Sequence, residues 1–258
     1  MYSTKLSFLR CTRWKVERRN VRLPLSRYHA KEGQSLMLIT RLEIESVTLG
    51  VSLRDCSSRL PSTACARIYD KIRRSAGHLV RSVEEAVAQY GGSVQKTGVA
   101  VSPIAALFDG MSVSDYVRIA EALDRAAADC GVTEIYGLTT QCSKSLSAGD
   151  EALLLAIHRS VASTNHVCAS AECARAGRSI NIRAIETLRD ALKSTPDAVR
   201  QSGTFSRIAM LANSSGSSPY PPGAFHGLDE PDLSLKIGVN AIEALSRLGG
   251  QLDLTRSD

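Results

Sequence analysis

From Leu42 onward, segments with a two-residue hydrophobic period alternate with segments of helical period, and this alternation constrains the fold more than any single motif. Residues 42–53 alternate and are β-branched, so they read as a strand. Ser62 or Thr63 caps a long helix reaching about Tyr90, with Ile68, Ile72, Leu79, Val83 and Val87 on one stripe and Gly91-Gly92 as its stop. Residues 94–101 form a second strand that Ser102-Pro103 breaks. Ser112, with Asp115 three residues on, resembles a capping box for a helix to Cys130. That helix turns Val117, Ala120, Leu123 and Ala127 inward and ends at Gly131. Residues 132–138 are a third strand. Ser147 then opens a helix with Asp150 and Glu151 in its first turn, where the macrodipole favours anions. A strand at 165–170, a helix at 182–199 and strands at 205–213 and 233–239 complete the order. The pattern predicts an α/β fold, a mainly parallel sheet with covering helices. Ligands of such sheets bind beyond the carboxyl ends of the strands.

Charge divides the chain in two. Residues 1–36 hold nine Lys/Arg against two Glu, whereas residues 37–258 hold 23 Lys/Arg against 24 Asp/Glu. The net charge of +6 therefore belongs to the first segment. Residues 37–258 form the α/β domain in this reading, and no basic patch on it favours a nucleic-acid partner. Residues 1–36 read as a basic, disordered extension, or as sequence upstream of a start at Met37. An organelle signal and a nucleic-acid or membrane arm are the alternatives. The segment has no apolar run long enough for a signal peptide or a membrane span. Seven cysteines, an odd number without zinc-ribbon spacing, predict reduced and mostly buried thiols in a cytoplasmic protein.

Candidate site residues cluster where strands end. The stretch ANSSGSSPYPPGAFHGLDEPDLSLKIGV starts at Ala212 and joins two strands through a long loop, a kind of segment that is usually functional or disordered. It carries His226 between small neighbours, then Asp229, Glu230 and Asp232. His226 reads either as a ligand contact or acid/base, or as a structural histidine bonded within its loop. No second histidine lies close in sequence, so no metal is specified. Asn213 at a strand end, Lys144 as a partner for an anion, Glu230 and Ser102 complete the ligand-binding set. Cys168 is a buried core thiol in this reading rather than a nucleophile. Catalytic residues and cofactor are not specified: there is no GxGxxG after a strand, no P-loop and no GxSxG.

Several ordered segments also carry a family likeness: Val47-Thr48-Leu49-Gly50-Val51-Ser52-Leu53, Ala66-Arg67-Ile68-Tyr69-Asp70-Lys71-Ile72, Val101-Ser102-Pro103-Ile104, Asp115-Tyr116-Val117, Ala122-Leu123-Asp124-Arg125-Ala126-Ala127 and Gly223-Ala224-Phe225-His226-Gly227. Over about residues 42–240 the chain resembles the bacterial and archaeal DUF711 family, also called UPF0210, which is functionally uncharacterised. The resemblance implies part of an α/β barrel like that of pyruvate formate-lyase-like glycyl radical enzymes. It does not imply their chemistry, because the radical-glycine motif is absent. The chain departs from the family pattern at Leu138, Ser145, Ser179 and Ile182, and before Pro219. Family members continue past positions matching Gly238-Val239 with a second α/β half, so a truncated member is expected.

These readings combine into a soluble α/β protein that binds a small anionic metabolite at the strand carboxyl ends. The alternatives are a non-catalytic sensor, an assembly module that forms homo-oligomers, or an inactive fragment. No membrane partner is expected.

Overall fold

Four helices lie side by side on one face of a six-stranded sheet. The computed structural model describes residues 43–177, 179–197, 203–214 and 216–240. The basic segment 1–36 lies outside them.

The strands are β1 (Glu43–Val51), β2 (Val94–Val101), β3 (Glu134–Thr140), β4 (Val167–Ala174), β5 (Ile208–Ala212) and β6 (Leu233–Asn240). The helices are α1 (Pro61–Ala76), α2 (Leu79–Tyr90), α3 (Ile104–Leu107), α4 (Val113–Cys130), α5 (Ala148–Ala162) and α6 (Ile182–Lys193). The sheet order is β5-β4-β3-β2-β1-β6, parallel throughout except for β6, which runs antiparallel to β1. The α/β architecture expected from the alternation is present.

Each crossover from β1 to β5 moves one strand in the same direction. Right-handed crossovers of that kind place every helix on the same face. Thus Val51, Val99, Val101, Ile135, Leu138, Val167, Ala169 and Ala171 point into one core with Ile68 and Ile72 of α1, Ile119 and Leu123 of α4, Leu153 and Ile157 of α5, and Leu188 of α6. The alternate residues Ala100, Tyr136 and Cys168 face the other way and form a small second cluster with Ala224. We call that second side the inner face. Among the described residues the order from β1 to β5 does not reverse, so they form no crevice of the doubly wound kind.

Local chemistry fits most of the expected boundaries. α4 and α5 begin with full capping boxes, Ser112 with Asp115 and Ser147 with Asp150, and α4 ends on Gly131 at φ 67°. Such caps are each worth about 1 kcal/mol.

The expected single helix to Tyr90 is instead two helices. The Gly77 N–H closes α1 on the Arg73 carbonyl, and His78 leaves the helical region at φ −112°, ψ 2°. Ile68 and Ile72 are buried as expected, and the stripe continues through Leu79, Val83 and Val87 of α2 as half-buried residues, with none fully buried. The strand expected from 205 starts later, because Thr204–Arg207 form a 3₁₀ turn. Arg207 donates to the carbonyls of Val161, Thr164 and Val167 at 2.8–2.9 Å, which holds that turn under the end of α5. The helix from Ile182 ends at Lys193, before the expected 199; residues 198–200 lie outside the described set.

Residues 213–232 cross from the β5 edge to the β6 edge. Five strand spacings make that span about 24 Å. β6 shows its two faces plainly: Leu233, Leu235, Ile237 and Val239 are exposed, with Leu235 at 57% and Ile237 at 56%, while Ser234 and Lys236 contact the crossing loop.

Candidate functional site

The crossing loop is seated on the inner face by small residues. A Cβ on Gly223 would come within 2.5 Å of the Leu211 side chain and 3.2 Å of Ala209 Cβ, so glycine lets the loop lie close on β5. Ser218 and Phe225 exchange backbone hydrogen bonds, and Phe225 is fully buried. The next residue, His226, donates its backbone N–H to the Val101 carbonyl at 3.0 Å. Its imidazole occupies the space above Gly50, where a Cβ would stand 2.4 Å from Nδ1.

His226 is completely buried and both ring nitrogens are engaged. Nε2 lies 2.8 Å from the Pro231 carbonyl, so this nitrogen donates. Nδ1 lies 2.7 Å from Glu230 Oε2 and 3.3 Å from Ser234 Oγ. The same Glu230 oxygen accepts from the Gly227 N–H and from Lys236 Nζ, each at 3.0 Å. Burial works against the Glu230 carboxylate. The hydrogen bonds from His226 and Lys236, the Lys236 charge and the Gly227 N–H outweigh burial and hold its pKa at about 2.

A second clasp acts from the helical side. Lys71 of α1, itself buried, reaches Asp55 at 2.7 Å and Asp232 at 2.8 Å. Two of the three loop acids are thus committed to ion pairs that fasten the loop.

The other residues singled out from sequence are spread along the strand ends. Ser102 is buried beside Val101, and its Oγ accepts from the Leu53 N–H at 3.3 Å. Asn213 ends β5 at φ 61°, a left-handed conformation that asparagine tolerates. Its Oδ1 accepts from the Ala176 N–H, and its own N–H bonds the Ala174 carbonyl at 3.0 Å. Lys144 is exposed in the loop after β3. Among the described residues no hydrogen bond or ion pair joins Asn213 or Lys144 to His226.

A polar group whose residues the sequence reading named only within the polar stretches 139–145 and 170–178 lies at the ends of β3 and β4. Glu172 is wholly buried, and Arg175 grips it with two bonds, Nε to Oε1 at 3.2 Å and Nη2 to Oε2 at 2.8 Å. Gln141 Nε2 stands 3.5 Å from Oε2. Two residues down β4 on the same face, Ser170 and Thr139 share a 2.7 Å hydroxyl–hydroxyl bond. Burying a carboxylate is costly without a partner, and here one forked guanidinium supplies it. The Arg175 side chain stays 30% exposed, so the guanidinium meets solvent on its other side. The signal for this pair was present in VCASAECAR: a lone glutamate in a strand of small residues, on the parity of Cys168 and Ser170, with an arginine three positions on.

The described cysteines are all free thiols, and all but the half-buried Cys65 are buried. Burial, with the Glu134 charge next, pushes the Cys168 thiol up to about 12, which suits a core thiol and not a nucleophile. Among the described residues no three His, Cys, Asp or Glu side chains converge to hold a metal ion, and no helix is long and apolar enough to cross a membrane.

Comparison with known proteins adds one finding. The model of the family described as Uncharacterised ACR (DUF711) matches residues 36–253, a span longer than the 42–240 read from the motifs. A UPF0210 protein of Halothermothrix orenii is 33% identical over 233 residues, which cover 88% of this chain and 52% of that protein. UPF0210 proteins of Pelotomaculum thermopropionicum and Methanococcoides burtonii are each 35% identical over 77% of this chain and 44% of their own lengths. The chain spans about half the length of the curated relatives it matches.

Proposed function

Because the chain belongs to the DUF711 family of uncharacterised proteins, its chemistry must be argued from its own residues, and we propose that it binds a small anionic metabolite at the carboxyl ends of β3 and β4. The observation that carries this reading is Arg175 clamped on the buried Glu172. A guanidinium has five N–H donors in a rigid fork, and the clamp uses two of them. The remainder are oriented in advance, so a carboxylate or phosphate meets a donor whose rotamer entropy is already spent. Gln141, and Lys144 on the same loop, supply further donors to an anion there. Asn213 acts through its bond to Ala176 by holding the turn that follows Arg175. His226, Glu230 and Ser102 contribute by fastening the cover of the inner face.

The test is calorimetric titration with short mono- and dicarboxylates and phosphate monoesters. Glu172→Gln/Arg175→Gln replaces the ion pair by two amides that still hydrogen-bond each other. It should keep the fold and weaken binding about tenfold or more, since a hydrogen bond to a charged group is worth roughly 1.5–3 kcal/mol. Equal affinity in the folded double variant would refute the assignment.

A second reading, an assembly module, is favoured by the exposed apolar row Leu233, Leu235, Ile237 and Val239 on edge strand β6. It predicts concentration-dependent self-association in sedimentation that Leu235→Thr/Ile237→Thr removes.

A further inference from the structure

We propose that Cys142 and Cys173 form a dithiol that a peroxide oxidises to an intramolecular disulfide, tying the loop after β3 to the end of β4. The placement follows from register. β3 ends at Thr140, paired with Ala171 of β4, and Asn181 beyond them bonds both the Cys142 carbonyl at 2.7 Å and the Cys173 carbonyl at 2.8 Å, which sets the two cysteines side by side. Adjacent strands lie about 4.8 Å apart, and disulfides span Cα separations of about 4.4–6.8 Å. Both side chains point into the helical core, at 0% and 1% exposure. Cys142 Sγ also lies 3.6 Å from the Glu172 carbonyl, and Cys173 Sγ lies 3.8 Å from that of Ala171.

The pair differs from the other described thiols. Burial pushes Cys56 up to about 12, and Cys65 and Cys130 are raised for the same reason. Cys173 is lowered by the Cys142 thiol beside it, against burial, and Cys142 is raised by the same neighbour and by burial. What singles the pair out is placement: Cys142 Sγ sits on the carbonyl of Glu172, the residue before Cys173.

The step balances with a peroxide as oxidant. The Cys173 thiolate attacks one peroxide oxygen, the O–O bond breaks, and sulfenic acid forms while the leaving oxygen takes a proton to become water. Cys142 sulfur then attacks the Cys173 sulfur and the S–O bond breaks. The hydroxyl departs with the Cys142 proton as a second water. The two thiols lose two electrons and two protons, and the peroxide is reduced to two waters.

The proposal stands independently of anion binding at Arg175. Its test uses the full chain treated with stoichiometric hydrogen peroxide, quenched, alkylated and digested. Tryptic cleavage leaves Cys130 with Cys142 and Cys168 with Cys173, so fragment-ion sequencing of the linked peptide is needed to locate the bond. The expected product links Cys142 to Cys173, is reversed by dithiothreitol and vanishes when the chain is oxidised in urea. Cys142→Ser should leave a sulfenic acid at Cys173 that dimedone traps, and Cys173→Ser should leave Cys142 unmodified. Oxidation of Cys65 or Cys56 ahead of the pair, or a bond to another cysteine in the folded chain, overturns the proposal. The wild-type digest decides this even if a serine variant fails to fold.

Discussion

Gly50→Ala is the sharpest probe of how the inner face is closed. The added methyl would stand 2.4 Å from His226 Nδ1 and 2.5 Å from Ser234 Oγ, inside any real contact distance. The imidazole must move, and backbone and ring bonds tie it to Val101, Pro231 and Glu230. Overpacking typically costs about 1–3 kcal/mol, and weakening a hydrogen bond to a charged group costs roughly 1.5–3 kcal/mol more. The expected loss is therefore about 3–5 kcal/mol. With a urea slope of about 2–3 kcal/mol/M for a chain of this size, the midpoint should fall by about 1–2 M at unchanged slope. His226→Ala alone should cost about 3–4 kcal/mol, from a cavity and a buried carbonyl left without its donor. The decisive quantity is the double variant. Deleting the ring vacates the space the methyl needs, so Gly50→Ala/His226→Ala should be no less stable than His226→Ala by more than about 1 kcal/mol, a strong departure from additivity. Additive losses, or a Gly50→Ala loss within about 0.5 kcal/mol, would refute the account of His226 as the pin of this loop.

Two further outcomes follow from the same geometry. Glu230 is held at about 2 in the folded chain against an ordinary value of 4.5, so its contribution is complete above about 4.5 and disappears as the pH falls toward 2. That contribution is on the order of 2–3 kcal/mol, and urea midpoints followed from pH 6 to 2 should decline less steeply in Glu230→Gln than in the wild type. Gly137 sits at φ 111° with Val101 O 2.4 Å from where a Cβ would lie, whereas Gly177 at φ 72° has open space around it. Gly137→Ala should therefore lose more than about 3 kcal/mol and Gly177→Ala only about 1 kcal/mol, as read by thermal unfolding.

The elements with local signatures were legible in the sequence. Ser112 with Asp115, Ser147 with Asp150, and Gly131 each carry their structural cause within a few residues. The break at Gly77 was not, because the apolar spacing runs through it and Leu79, Val83 and Val87 stay half-buried beyond it. The site was half legible. His226 and Glu230 are close in sequence and meet in space, yet their mutual saturation depends on Lys236 and Gly50, which arrive from two strands. Arg175 was missed because its meaning depends on which face of β4 Glu172 occupies, and that follows only once the helices have taken the other face.

The antiparallel partner of β1 is β6, the last strand among the described residues. Register pairs Glu43 with Asn240 and Val51 with Leu233, nearly the whole described length apart. During synthesis β1 can dock on β2 soon after it emerges, but its other edge waits until β6 and the loop that precedes it have been made. Contacts of such sequence separation slow folding, and an unfilled strand edge is a template for foreign strands meanwhile. Closing that edge, and with it burial of His226, should follow the docking of β1 on β2, so a chaperone that recognises open strand edges would hold this chain until β6 is released.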